Sequence, residues 1–291
     1  MLLSPSFLHQ LDALALRSRH LFSGSSRGEK RSKKRGASVE FADFRPYNLG
    51  DDIRRIDWNA YGRFEKLYLK QFLEEEDLDI TLLLDASLSM NFGEPTKLLL
   101  AQQLAGALGY IGLNAFDRVG AAVFDQNVRA WFPPSRGRAA PARLFQFLES
   151  QSAAGQADLS ASMKRVATQA RRSGIAVVLS DFLLPEGYET GLKTLAARGF
   201  DVTAIQILDR HELNPVLVGD LKLVDVENRG NIREVTVSDT LRRTYKRNID
   251  THCADLRAFC LKLGMNYVQI SNDVPVETSV LRLLRGAGLV Q

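Results

Sequence analysis

Beyond residue 78 the hydrophobic pattern alternates between two periods. Residues 79–84, 118–124, 128–132, 175–179, 202–208 and 266–270 are short apolar runs of strand length. Residues 97–113, 138–149, 159–172, 188–198, 239–263 and 276–284 are longer and repeat their apolar positions at helical spacing. Thr96 stands where the N-cap of the first of these helices belongs. Residues 221–226 and 232–237 flank Asn228-Arg229-Gly230-Asn231 and predict a β-hairpin. Apolar strands separated by helices build a mostly parallel sheet that is covered on both faces. The predicted fold is therefore α/β, a doubly wound, mostly parallel sheet with helices on both faces and a β-hairpin insertion near residues 221–237.

Upstream the pattern differs. Residues 5–20 predict a short amphipathic helix, with Leu8, Leu11, Leu14, Ala15 and Leu16 near helical spacing. Residues 23–36 are rich in Gly, Ser and basic side chains and read as a loop. Residues 38–44 and 66–73 look extended, with a turn signal around Gly50 between them. The acidic run Glu74-Glu75-Glu76-Asp77 is too short to be a tether, so these strands are expected to extend the main sheet. The chain divides accordingly into an N-terminal helix and basic loop (1–35), an N-terminal β extension (36–77) and an α/β domain (78–291).

Composition narrows the function classes. A chain of 291 residues that is 45% hydrophobic and 25% charged is ordinary for a globular protein with a full core. It has no run of 18 or more apolar residues to span a membrane. Residues 1–17 lack the early basic charge and long uncharged core of a secretory signal, so the expected location is the cytoplasm. The net charge of +4 is concentrated: residues 17–35 hold eight Lys or Arg against the single Glu29, leaving the rest of the chain acidic on balance. Such a segment can neutralise phosphates, but Phe22 is its only aromatic residue and no nucleic-acid-binding motif accompanies it. A solvated loop is the simpler reading, with contact to an acidic partner face or anionic lipid as the other. Cys253 and Cys260 are seven residues apart on one predicted helix. That spacing is roughly 10 Å along the axis, beyond the reach of about 7 Å for a disulfide. His9, His20, His211 and His252 are scattered without ligand-like neighbours at i+3 or i+4, which argues against a zinc site.

Ligands of open α/β sheets sit beyond the carboxyl ends of the strands. Three segments reach that edge: Asp85-Ala86-Ser87-Leu88-Ser89, Gly155-Gln156-Ala157-Asp158-Leu159 and Ser180-Asp181-Phe182. One carboxylate and two hydroxyls on alternate residues suit a hard cation such as Mg²⁺, which takes oxygen ligands and keeps several waters. Ser87 and Ser89 can ligate directly, with Asp85 and Asp181 accepting from bound water. The plainer reading makes Ser87 and Ser89 turn caps and has Asp85 bond to backbone. Two carboxylates that each follow an apolar strand weigh against it, because an unpaired charge there is costly. Gly106, Gly109 and Gly112 recur every three residues in the first long helix and predict close packing on the sheet.

These residues carry a resemblance. Asp85, Ser87 and Ser89 resemble the first motif of the metal-ion-dependent adhesion site of von Willebrand factor A domains, and Asp181 its later aspartate. Phe41, Arg45, Tyr47, Gly50, Asp51, Asp52, Arg54, Ile56, Asp57 and Trp58 look like the signature of the bacterial domain-of-unknown-function family fifty-eight (DUF58). That family contains a von Willebrand factor A-like domain and is associated with MoxR-type AAA+ ATPases. The resemblance implies Mg²⁺, or Mn²⁺, held weakly or with a partner's help by Asp85, Ser87, Ser89, Asp181 and Asp158. In the von Willebrand factor A pattern the second loop carries a threonine where this chain has Ala157; either Asp158 or a water takes the place of that hydroxyl, or the site is vestigial.

The stretch from Gly50 to Trp58 has two readings. It is a turn in which Arg54, Arg55 and Asp57 form local ion pairs and Trp58 enters the core, or a contact surface where Arg54 and Asp57 meet a partner. The leading functional expectation is a non-catalytic module that captures an acidic residue of a MoxR-type ATPase or of a client it helps to mature or remodel. The chain has no Gly-x-x-x-x-Gly-Lys-Ser/Thr loop of its own. The alternatives are a metal-dependent phosphoryl-transfer enzyme or hydrolase using Asp85 as nucleophile, and nucleic-acid binding through residues 17–35.

Overall fold

The computed structural model of the chain describes residues 2–17, 40–48, 51, 53, 56–73, 78–184, 186–215, 219–224 and 232–286. The basic segment 17–35 therefore lies almost entirely outside the described residues. Two compact units emerge, residues 27–77 and the remainder. Helix α1 (Pro5–Arg17) opens the larger unit, and the smaller one contains β1 (Glu40–Pro46), α2 (Trp58–Phe64) and β2 (Tyr68–Leu73).

In the smaller unit β1 runs antiparallel to β2, from Glu40 opposite Leu73 to Pro46 opposite Tyr68. Ile56 bridges to Leu69, and both are buried. Asp57 caps α2, its Oδ1 accepting from the N–H groups of Asn59 at 2.9 Å and Ala60 at 3.2 Å. Arg54 and Arg55, the expected partners of Asp57, lie outside the described residues. Trp58, expected in the core, is instead 64% exposed and packs edge-to-face on Tyr61. It stands at the first position of a capped helix, not in a strand whose alternate residues point inward. The two strands were expected to extend the main sheet but form a sheet of their own.

The larger unit continues with β3 (Asp79–Asp85), α3 (Lys97–Asn114), β4 (Arg118–Phe124), β5 (Val128–Ser135), α4 (Ala140–Glu149) and α5 (Leu159–Gln169). Then follow β6 (Ile175–Ser180), α6 (Glu189–Ala197), β7 (Asp201–Leu208) and the short α7 (Arg210–Leu213). The hairpin of β8 (Gly219–Val224) and β9 (Ile232–Val237) leads to α8 (Asp239–Lys262), β10 (Asn266–Ser271) and α9 (Val276–Gly286). Six strands form one sheet in the order β10-β7-β6-β3-β4-β5, parallel throughout except for β4 with β5. The mixed α/β, mostly parallel architecture predicted from the apolar runs is the observed one. At its β5 edge, Pro133 and Pro134 offer no N–H to a further strand, which guards that edge against extension.

Strand residues alternate between two cores, as the twofold period of a strand requires. Leu82 and Leu84 face a cluster with α1, α3, α4 and α9, whereas Leu83 faces one with α5, α6 and the C-terminal half of α8. Helix α3 lies close on the first face because its glycines permit it. A Cβ on Gly109 would stand 2.4 Å from Leu144 Cδ2, and one on Gly112 2.6 Å from Ile80 Cδ1. Gly106 meets Leu2 of the N-terminal segment instead. No described helix is long and apolar enough to cross a membrane.

The entry to β6 is tighter still. A Cβ on Gly174 would stand 2.1 Å from the Asp79 carbonyl oxygen, a backbone atom that cannot move without disturbing the start of β3. Gly174→Ala is expected to cost about 1–3 kcal/mol of stability, measured by urea denaturation. A loss below roughly 0.5 kcal/mol, the ordinary range for neutral surface changes, would mean that the β3–β6 entry has slack.

Candidate functional site

From β3 the chain runs outward to β4 and β5 on one side, then returns to β6, β7 and β10 on the other. The carboxyl ends of β3 and β6 therefore flank the point where strand order reverses, the usual crevice of open α/β sheets. Asp85 closes β3, and Ser180 closes β6 with Asp181 directly after it. All three are fully buried. Asp85 Oδ1 accepts from the Ser87 N–H at 2.9 Å, and Oδ2 accepts from the Ser180 hydroxyl at 2.6 Å. Burial, reinforced by the Asp181 charge, pushes the Asp85 carboxyl up to about 6 against these hydrogen bonds.

After Asp85 the chain turns into a short 3₁₀ segment, Leu88–Asn91. This brings Ser87 Oγ within 3.1 Å of Ser89 Oγ. The second loop lies along the first: Ala154 N–H donates to the Ala86 carbonyl at 2.8 Å, and Leu88 N–H to the Gly155 carbonyl at 3.0 Å. Ala157 is buried in that loop. Asp158 caps α5, its Oδ1 accepting from the Ala161 N–H at 2.8 Å.

The turn after β6 is held from every side. Phe182 is buried with φ 55°, in the left-handed region where a bulky side chain costs about 1–3 kcal/mol. Its N–H donates to Ser180 Oγ at 3.0 Å, and His252 Nε2 lies 3.0 Å from its carbonyl oxygen. Gln206 Nε2 donates to the Asp181 carbonyl at 3.0 Å, and the Leu183 N–H to Asp181 Oδ1 at 3.0 Å. His252, distant from the motifs in sequence, is thus brought to the turn.

A lysine that sequence reasoning passed over completes the edge. Lys97, the first residue of α3, is fully buried. Its Nζ lies 2.7 Å from Asp181 Oδ2 and 2.6 Å from Glu212 Oε1. Burial alone would pull the ammonium below the usual lysine range; Asp181 and Glu212 outweigh it and hold it above. Glu212 itself is raised by burial, which the Lys97 charge only partly offsets. Glu212 is aimed by a capping box, in which its Oε2 accepts from the Asp209 N–H at 2.8 Å. Asp209 is lowered: burial pushes it up, but the His211 N–H, the Asn272 amide and the His211 ring together outweigh burial. One signal in the sequence pointed to Lys97. A cation in the first turn of an otherwise apolar helix opposes the helix dipole and needs an explanation.

The donor set bears on a metal. Two hydroxyl oxygens 3.1 Å apart match neighbouring vertices of an octahedron with bonds of about 2.1 Å. Among the described residues, no three carboxylate, imidazole or thiolate groups converge to cage an ion. The hydroxyl pair fits a Mg²⁺ held by hydroxyls and water, with the Asp85 carboxylate fixed against Ser87, whereas Asp181 is turned to Lys97. Arg54, expected at a partner surface, lies outside the described residues, and Asp57 belongs to the smaller unit.

Comparison with known proteins agrees with the sequence resemblance at family level. Residues 43–255 match the family described as "Protein of unknown function DUF58". The uncharacterized protein Rv1480 of Mycobacterium tuberculosis is 30% identical over 274 residues, covering 92% of this chain and 86% of that protein. Among solved structures, an aerotolerance-related membrane protein from Bacteroides fragilis is similar at TM-score 0.45 and 16% identity. The conserved hypothetical protein BatB from Bacteroides thetaiotaomicron is similar at 0.46 and 15%. Each aligns over 73% of this chain and 100% of the solved one.

The raised Asp85 carboxyl makes stability depend on pH. Its folded value, about 6, exceeds the ordinary 3.8, so the folded state binds the extra proton. The contribution is complete below about pH 4 and is lost as the pH rises to about 6. In EDTA, wild type is expected to lose on the order of 2–3 kcal/mol relative to Asp85→Asn across that window. Parallel stability curves for the two proteins would mean that Asp85 is not displaced by its surroundings.

Proposed function

The chain belongs to the DUF58 family, and from that premise we propose that it is a non-catalytic protein-binding module with a divalent-cation site. The sheet is read as von Willebrand factor A-like, with Asp85, Ser87, Ser89 and Asp181 as its adhesion-type motif and Asp158 as an accessory donor. The observation that carries this reading is the pair of hydroxyls, Ser87 and Ser89, 3.1 Å apart at the switch point beside a fixed carboxylate. Ser87 and Ser89 would hold Mg²⁺ or Mn²⁺, and Asp85 and Asp181 would orient its waters. The ion, with few anionic ligands of its own, would supply an electrophilic position for a partner's carboxylate. By family resemblance the partner is a MoxR-type AAA+ ATPase or its client.

The hydrolase alternative needs Asp85 free to attack. Both of its oxygens accept hydrogen bonds in a buried position, from Ser87 and Ser180, and that weighs against it. The nucleic-acid alternative depends on residues 17–35, of which only Arg17 is described.

The test is metal binding by calorimetry on wild type, Ser87→Ala with Ser89→Ala, and Asp85→Asn. Wild type is expected to bind Mn²⁺ or Mg²⁺ weakly and both variants at least roughly tenfold more weakly, the loss of about one 1.4 kcal/mol interaction. Capture of a MoxR-type ATPase should follow the same order and disappear in EDTA. Equal metal binding by all three proteins would exclude this site.

A further inference from the structure

The edge contains a second cation-binding arrangement, already filled by the chain itself. Asp181 and Glu212 converge on one point from different elements. Asp181 is fixed by the Leu183 N–H on Oδ1 and Glu212 by the Asp209 N–H on Oε2. Each carboxylate presents its remaining oxygen to Lys97 Nζ, at 2.7 and 2.6 Å. Two oriented carboxylates around a fully buried positive charge form a built cation site, and its occupant is covalently part of α3.

We propose that Lys97 is a resident cation that determines how tightly the edge holds a divalent ion. It does so by occupying Asp181 and Glu212, so that Asp181 is only partly available to an ion on Ser87 and Ser89. This rests on the reading of the Asp85–Ser87–Ser89 motif as a metal site. Asp181 directly follows Ser180, whose hydroxyl donates to Asp85 Oδ2 at 2.6 Å, so neutralising Asp181 also weakens the field at the motif. The ammonium has two effects: it satisfies two buried carboxylates without a metal, and it opposes the arrival of one. Lys97 acts through Asp181 and is a positioning residue, not a ligand.

Two substitutions separate this from a purely structural role, because they should move metal affinity in opposite directions. Lys97→Met releases Asp181 and Glu212 together, and Mn²⁺ affinity should rise roughly tenfold or more, the scale of coupling between close charge pairs. Its thermal midpoint should rise between EDTA and millimolar Mn²⁺ by clearly more than that of wild type, whose weak binding shifts it little. Glu212→Gln leaves the ammonium to Asp181 alone, so Mn²⁺ should bind several-fold more weakly than to wild type. The measurements are Mn²⁺ titration by calorimetry and thermal melts on the full chain, with circular dichroism as the control for folding.

Lys97→Met that is folded yet binds Mn²⁺ no more tightly than wild type overturns the proposal, as does a shift of both variants in the same direction. A Lys97→Met chain that folds only with Mn²⁺ supports it. Should that variant not fold at all, Glu212→Gln decides: weaker binding supports the proposal, and equal or tighter binding overturns it. Failure of the underlying metal reading appears separately, as wild type and the Ser87→Ala, Ser89→Ala variant binding Mn²⁺ alike.

Discussion

The carboxyl edge of the sheet depends on how buried charge is balanced there. An ammonium without exposed surface is stable only if its desolvation is offset by well-placed counter-charges, and breaking such a pair typically costs about 3–5 kcal/mol. Lys97 meets that requirement with Asp181 and Glu212, and in doing so ties the start of α3 to the end of β6 and to α7. The segment that leads into α3 is clasped as well. Asn272, after β10, donates to the Pro95 carbonyl at 2.7 Å, and Gly93 packs so closely on Asn272 and Asp209 that no Cβ fits. The loop carrying Ser87 and Ser89 lies between these anchors, fixed by Asp85 at one end and by the Lys97 ion pairs at the other.

The same balance explains how the left-handed Phe182 is tolerated. Four hydrogen bonds converge on residues 180–183 from Phe182, His252, Gln206 and Leu183, and at about 1 kcal/mol each they offset one strained residue. The turn brings Ser180 and Asp181 to bear on different partners: Ser180 on Asp85, Asp181 on Lys97. Neighbouring residues thereby join the first motif and the resident ammonium into one network.

Parts of this were legible in the sequence for a definite physical reason. Doubly buried strands read as unbroken apolar runs, so β3, β6 and β7 and the helices between them stood out, and with them Asp85 and Asp181 at strand ends. Thr96 and the glycines of α3 were legible because caps and close packing leave local signatures. Lys97 showed only as a cation out of place in a first turn; its role did not, because its partners are 84 and 115 residues away and neither spacing has a pattern. His252 failed for the same reason, being 70 residues from the carbonyl it meets. Trp58 was misplaced because an aromatic residue beside charged ones reads equally as a core anchor or as the exposed start of a helix. Only the cap at Asp57 distinguishes the two.

Ala157 and Lys97 act on the proposed site in one direction. Alanine lacks a hydroxyl that the adhesion motif would offer, and lysine pairs with Asp181, so in the proposed site both would lower the hold of the chain alone on a cation. A partner that contributes a carboxylate restores the missing oxygen and negative charge at once. Affinity for ion and for partner are then linked, and by thermodynamic reciprocity each must strengthen the other by the same factor. An edge tuned in this way favours release when either is withdrawn. Under the proposed function that property would suit repeated engagement with a partner better than permanent assembly, and it would follow from two residues that a motif comparison alone counts as defects.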